Sequence, residues 1–562
     1  AAARDYALSA GMNDSADAVV RYLKNDNPKQ MQDPDVEVYK VWPTEFDREL
    51  FQDIINGPRK ELWKKYRTHF YATRDKIYPY KTVPRLLSAY GFFFDQIKYA
   101  VESDDLYDDF SPEPELDLEL EEGEAPGEAA VGVSEDNQER FDALWVSLVE
   151  GFRVVEIILE EGDDAQVIFE TLNERGKPLT AAALVKNNIY YRIEGGDTER
   201  EKVFKKAWQV FEHGFWEQEE KQGRYKKPRL EFFLSNFIAA KTADDVNISK
   251  LFSEYKSFLK RSAKLTSGEY HSVADELEDL RAFGEIYREI IERNNDNFLA
   301  QFSRRLEPWD VTTVYPLVLR IMKSEMLEEE KELALNNLLS LIARRAIQGL
   351  GTKNYNKFFL SVIASLDKTE WTYGQFSKFL LETTAESGRF PRDEEFRHSF
   401  LNNPAYRTIG SRKANAVLRE IELRKRTQFN ETTELVNSLS VEHIMPQQWY
   451  ENWLLEEGRV PDFEERMAAN YVLVEDDTFV GKVAKRNRMK ETFGNLTLLT
   501  KPLNSSVSNG SFEAKCKALQ KHSLLVMNRE ISDRLNWDEE EIHSRGEKLA
   551  KIAIEIWGMP NS

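Results

Sequence analysis

Apolar residues recur at helical spacing over most of the chain. In "EFDRELFQDIING" Phe46, Leu50, Phe51, Ile54 and Ile55 fall on one helical face, and the pattern stops at Gly57-Pro58. The segments "REKVFKKAWQVFEHGFW", "DELEDLRAFGEIYREIIERN" and "EEKELALNNLLSLIARRAI" repeat the 3.6-residue period, so residues 198–387 are expected to form a helical connector domain. Three stretches break this rhythm. Val154 to Leu159 is β-branched and reads as a strand leading into a helix near Ala165, with Thr180 as N-cap of the next helix through Lys186. "LSVEHIMP" predicts a strand ending at Pro446, and "FGNLTLLT" a second strand, Leu496 to Thr500, followed by a polar turn and a helix from about Ser511. The expected fold class is α+β and predominantly helical.

Length and composition refine this picture. A chain of 562 residues is too long for one core, which predicts several cooperative units. One cysteine, Cys516, excludes a disulfide framework and a cysteine-rich zinc site and fits a reducing cytoplasm. The apolar run Leu335 to Ile347 is short and interrupted by Arg344 and Arg345, so no membrane span is expected. The opening "AAARDYALSAGMND" has neither an initiator Met nor the pattern of a signal peptide and reads as an internal start.

The net charge of −21 argues against a nucleic-acid partner until its distribution is examined. Residues 102–139 contain no Lys or Arg and hold much of the excess acid, reading as a solvated, disordered insertion rather than a DNA mimic over a basic track. Elsewhere basic clusters stand out. Lys482, Lys485, Arg486, Arg488 and Lys490, with Lys501, read as a phosphate track between and just beyond the two terminal strands, against the plainer reading of a solvated face.

The two terminal strands carry the candidate chemistry. Glu442-His443 closes the first, and the arrangement strand, insertion, strand, helix is that of a ββα-metal finger. Hydrolysis of a phosphodiester needs a base to take a proton from water, the role assigned to His443. It also needs a hard cation on the scissile phosphate, for which Glu442 and Asn504 supply oxygen donors to Mg²⁺ or Mn²⁺. Asn495, nine positions before Asn504, is expected to brace the loop that aims His443 and completes the catalytic set. Asn509 is read as a cap for the helix containing Phe512 and Lys515. The other six histidines share no metal-ligand spacing.

"VEHIMPQ" with "GNLTLLTKPLNSSVSNGSFEAK" resembles the HNH-type nuclease domain of the GmrSD-like, modification-dependent (type IV) restriction enzymes of bacterial phage defence. "IFETLNERGKPLTAAALVKN" resembles the latter part of their ParB-like nucleotide-hydrolysing domain. The resemblance implies three regions: a partial ParB-like sensor domain over 1–197, the helical connector over 198–387 and an HNH domain over 388–562. It implies a metal-dependent DNA endonuclease or nickase in antiphage restriction, controlled by sensing of modified DNA, such as glucosylated or hydroxymethylated cytosine or phosphorothioate-marked backbone. Asn173, Arg175 and Lys186 are the positions that the resemblance marks as nucleotide or domain-core contacts, although Arg175-Gly176 reads equally as a helix-ending turn. The family's Asp-Gly-Gln-Gln-Arg element, to which nucleotide hydrolysis is ascribed, does not occur in this sequence. NTP binding is therefore expected only through the remaining part of that domain. The competing reading is a non-catalytic DNA-binding or regulatory subunit with a structural HNH fold.

Overall fold

Amphipathic periodicity becomes helix wherever a buried face has a partner, and the computed structural model is accordingly dominated by helices. It describes residues 1–561 except 28, 30, 32, 44–46, 73–76, 80–82, 104–134, 154–178, 194–196, 213, 263–269, 431–434, 436–437, 456–457 and 473–475. The expected strand Val154 to Leu159, Asn173, Arg175 and most of the acidic insertion lie outside the described residues. Two compact units emerge, Ala1–Asp163 and Asp164–Ser562. Among the described residues no helix is long and apolar enough to cross a membrane.

In the smaller unit the helix Arg48–Asn56 buries Leu50, Ile54 and Ile55 and ends at Gly57, as the apolar spacing predicts. Arg85–Glu102 and Glu135–Gly151 flank the acidic stretch. Residues 135–139, expected within the disordered insertion, are helical, and Glu135 and Asp136 sit in a first turn where the helix dipole favours acid. The strands β1 (Phe70–Ala72) and β2 (Ile77–Pro79) pair antiparallel.

In the larger unit Thr180 caps Ala181–Arg192 by accepting from the Ala183 amide at 3.2 Å, and this helix runs six residues beyond Lys186. The long helices Val273–Glu292 and Glu328–Ile347 match their periodicity. The connector is not wholly helical. The strands β3 (Glu219–Gln222) and β4 (Tyr225–Pro228) form a hairpin, with Gly223 at φ +57° supplying the left-handed backbone of a two-residue turn.

The last sheet pairs β5 (Leu439–His443) with β6 (Leu496–Thr500), Glu442 opposite Thr497 and His443 opposite Leu496. Both faces are covered. Val441, Leu496 and Leu498 join the main core of the unit, which extends through the connector helices, whereas Leu499, with Ile444 and Met445 beyond the strand, joins a second core around Trp449, Trp453 and Trp537.

A short 3-10 turn, Phe493–Asn495, leads into β6 and is pressed onto the C-terminal helix Glu539–Ile556. Gly494 and Gly546 permit that approach. A Cβ on Gly494 would stand 2.2 Å from the Ile542 carbonyl oxygen. Arg545, fully buried, donates to the carbonyls of Gly494 at 2.7 Å and Leu496 at 2.8 Å, and burial pushes its guanidinium down to about 10. Gly494→Ala is expected to destabilise the larger unit by about 1–3 kcal/mol, because the obstructing atom is backbone. Denaturant unfolding followed by tryptophan fluorescence measures it, and an unchanged midpoint would refute the close contact.

Candidate active site

Alternation along β5 sends Ser440 and Glu442 to one face and Val441 and His443 to the other. His443 is 9% exposed, its ring stacked on Tyr406 with centroids 5.2 Å apart and planes 15° from parallel. The Tyr406 hydroxyl donates to the Val441 carbonyl at 3.1 Å, which fixes this stacking partner to the strand itself. Burial, reinforced by Glu442 and Glu491, pushes that hydroxyl up to about 12, so it remains a donor.

Two side chains face His443 Nε2. The Gln447 amide nitrogen stands 3.3 Å away and Glu491 Oε2 3.6 Å away, the latter just beyond hydrogen-bond distance. The His443 ring holds the Glu491 carboxyl below its usual range in spite of partial burial. His443 Nδ1 has no partner among the described residues.

Asn495 is fully buried, and its amide is saturated. Oδ1 accepts from the Met445 amide at 2.8 Å and from Trp537 Nε1 at 3.0 Å, while Nδ2 donates to the carbonyls of Met445 at 2.9 Å and Lys490 at 2.8 Å. Its own carbonyl accepts from the Ile444 amide at 2.9 Å. No polar atom of the side chain is left for a substrate. Its place is therefore in the frame that holds the residues after His443, and not among groups that touch the reacting atoms.

The opposite face of β5 meets two helices. The stretch expected as a polar turn is the helix Lys501–Val507, started with Pro502 in its first turn, where a missing N–H costs nothing. From it Asn504 Nδ2 reaches Ser440 Oγ at 3.4 Å, which brings the amide over the strand face that also carries Glu442. The next helix, Phe512–His522, is capped by Ser511 rather than by Asn509. It buries Lys515, 2% exposed, whose Nζ stands 3.2 Å from Glu442 Oε1 and donates to the His443 carbonyl at 2.8 Å. Glu442 Oε2 has no partner among the described residues.

Glu442 and Asn504 are thus brought to one face, with His443 across the strand. Among the described residues no group of three His, Cys, Asp or Glu side chains could hold a metal ion. One free carboxylate oxygen and one amide oxygen suit a hard cation that keeps most of its water, as Mg²⁺ does, and do not suit zinc.

The basic positions divide. Arg486 is buried against Trp449, ion-paired to Glu539, and donates to the Trp453 carbonyl. Lys490 is buried and donates to the Gln447 carbonyl at 3.1 Å, its ammonium lowered by burial. Neither can serve on a DNA-facing surface, because the helix Phe479–Met489 turns that side into the core. Lys485, Arg488 and Lys501 are exposed and Lys482 is half-buried. Lys186 pairs with Glu212 and lies 5.3 Å from the Phe204 ring centre, a contact within the fold.

The C-terminal domain model of the GmrSD restriction endonucleases matches residues 390–552, and the N-terminal domain model of the same enzymes matches residues 8–190. The chain belongs to the GmrSD restriction endonuclease family. No curated protein matches it. GmrSD membership implies a DNA endonuclease acting in restriction, a hydrolase whose substrate is DNA. The C-terminal match contains every residue of the site around β5 and β6.

Four of those residues are not among the sequence-derived candidates: Tyr406, Gln447, Glu491 and Lys515. One signal was available for Lys515. It shares a helical face with Cys516 and Leu519, both buried, at a position where the period calls for an apolar residue. Asn495→Ala would strand three backbone groups, the Met445 N–H and the carbonyls of Met445 and Lys490, and the Trp537 indole N–H without the partner they have here. The expected cost is about 3–5 kcal/mol in denaturant unfolding; a loss below about 1 kcal/mol would show that the amide does not brace the loop.

Proposed function

We propose that this GmrSD chain is a divalent-metal-dependent DNA endonuclease or nickase of antiphage restriction, with β5, β6 and the following helices acting as an HNH-type ββα-metal site. The observation that carries this reading is that one strand end bears an imidazole whose Nδ1, and a carboxylate one of whose oxygens, have no partner among the described residues, beneath an Asn amide. His443 is the base. Glu491, facing Nε2, favours the tautomer with its proton there and leaves the Nδ1 lone pair to take a proton from water. The Tyr406 ring, stacked on the imidazole, restricts it, so that little reorientation is needed when substrate arrives. Glu442 and Asn504 would hold Mg²⁺ or Mn²⁺, which when bound supplies positive charge to the scissile phosphate and leaving oxygen.

Lys482, Lys485, Arg488 and Lys501 are the side chains left to meet the DNA backbone. Lys485→Ala is expected to weaken DNA binding and reduce its salt dependence while leaving stability within about 0.5 kcal/mol. Arg486→Ala is expected to cost about 3 kcal/mol or more of stability, since it breaks a buried ion pair. Equal effects of the two substitutions on folding would overturn this division.

The N-terminal GmrSD domain is assigned the sensing of modified DNA and its coupling to nucleotide, with Asn173 and Arg175 as contacts. Lys186 could join them only by leaving Glu212. The site of action is the cytoplasm, where incoming phage DNA is met.

Supercoiled plasmid, unmodified and phage-modified, incubated with Mg²⁺ or Mn²⁺ tests the reading. Relaxation or linearisation is expected for the wild-type chain, with a loss of about 10²-fold or more in His443→Ala and complete loss in EDTA. Cleavage unaffected by His443→Ala would sink the proposed base. Binding of plasmid without cleavage under every condition would favour the non-catalytic subunit.

A further inference from the structure

Burying a lysine is unfavourable unless its charge finds a partner, and a leucine or methionine at position 515 would satisfy the helix face equally well. The partners Lys515 does find belong to the site. Its Nζ reaches Glu442 Oε1 and the carbonyl of His443, two adjacent residues on opposite faces of β5, and leaves Glu442 Oε2 unengaged.

We propose that Lys515 is a positioning residue that acts as a resident counter-cation: it holds Glu442 by one oxygen and anchors the His443 backbone, preparing the carboxylate for a divalent ion at the other oxygen. The inference rests on the reading of Glu442 as metal ligand given above.

This arrangement has a cost with a definite sign. A fixed positive charge touching one oxygen of the ligand repels a divalent ion at the other, so the site binds metal more weakly than its donors alone would. In return the carboxylate does not swing when the ion leaves, and the His443 strand end keeps its place. A lysine with a purely packing role would give no such trade of affinity against rate.

Mn²⁺ titrated into the full-length chain, with free ion counted by electron paramagnetic resonance, separates the possibilities. Wild type, Glu442→Gln, Lys515→Met and Lys515→Arg are compared, with circular dichroism as the check on folding. Weak binding by other carboxylates is common to all four. Wild type is expected to show a binding step that Glu442→Gln removes. Lys515→Met is expected to tighten that step by about tenfold while slowing plasmid cleavage at saturating Mn²⁺ by about tenfold, and Lys515→Arg to stay near wild type in both. If Lys515→Met does not fold, Lys515→Gln, which keeps a donor toward the His443 carbonyl, carries the same expectation. A folded neutral variant with unchanged or weaker Mn²⁺ binding, or with wild-type cleavage, overturns the role of Lys515 alone, provided the Glu442-dependent step exists. Absence of that step in wild type overturns both this inference and the metal-dependent reading beneath it.

Discussion

One buried amide closes the site. The strands β5 and β6 are separated by a long insertion, and loop closure on that scale must be offset by contacts at the join. Asn495 supplies them from the residue that precedes β6, spending all four hydrogen-bonding positions of its side chain on the Met445 backbone, Lys490 and Trp537. Behind it Arg545 clips the carbonyls on either side of Asn495, and the Gly494–Gly546 approach lets the turn lie flat on the C-terminal helix. Remove this bracket and the residues after His443 lose their tie to the turn that starts β6, leaving the ladder, Tyr406 and Lys515 to hold the strand end.

The division of labour around β5 follows from the two-residue repeat of a strand. His443 and Glu442 are neighbours in sequence, yet they face apart, each with its own supporting cast. His443 is flanked by Tyr406, Gln447 and Glu491, drawn from the preceding long helix, the loop after β5 and the end of the insertion. Glu442 is attended by Asn504 and Lys515, both from helices after β6. Lys515 links the two, holding the carboxylate of Glu442 and the main-chain carbonyl of His443 with one ammonium.

What could be read in the sequence was whatever depended on local pattern. The strands Leu439–His443 and Leu496–Thr500 announce themselves by alternation and β-branched residues, although the first ends at His443 rather than Pro446, and the helix from about Ser511 is present with Ser511 in place of Asn509 as its cap. The helix Lys501–Val507 did not announce itself, because Pro502, Asn504, Ser505 and Ser506 are turn-formers, and it forms because the strands and the following helix pack against it. The β3–β4 hairpin was equally hidden: its strands are mostly charged, with no apolar alternation to betray them. The cluster from Lys482 to Lys490 shows the limit most plainly. Five basic residues close together read as one surface, and only the orientation of the helix reveals that Arg486 and Lys490 face inward. Sequence spacing singled out Glu442, His443, Asn495 and Asn504, whereas the residues found beside them, Glu491 and Lys515 among them, depend on which elements meet in space.

The pairing of β5 with β6 also sets what the family can vary. Any slip of one position along β5 would exchange the faces of Glu442 and His443, so the strand tolerates neither insertion nor deletion. The stretch between the strands is held at particular points instead: Asn495 pins its two ends, Gln447 and Glu491 face His443, and Trp449, Trp453 and Arg486 pack inward, so a change of length is accommodated only away from these residues. Length can therefore change there without disturbing the register that sets Glu442 and His443 on opposite faces of one strand.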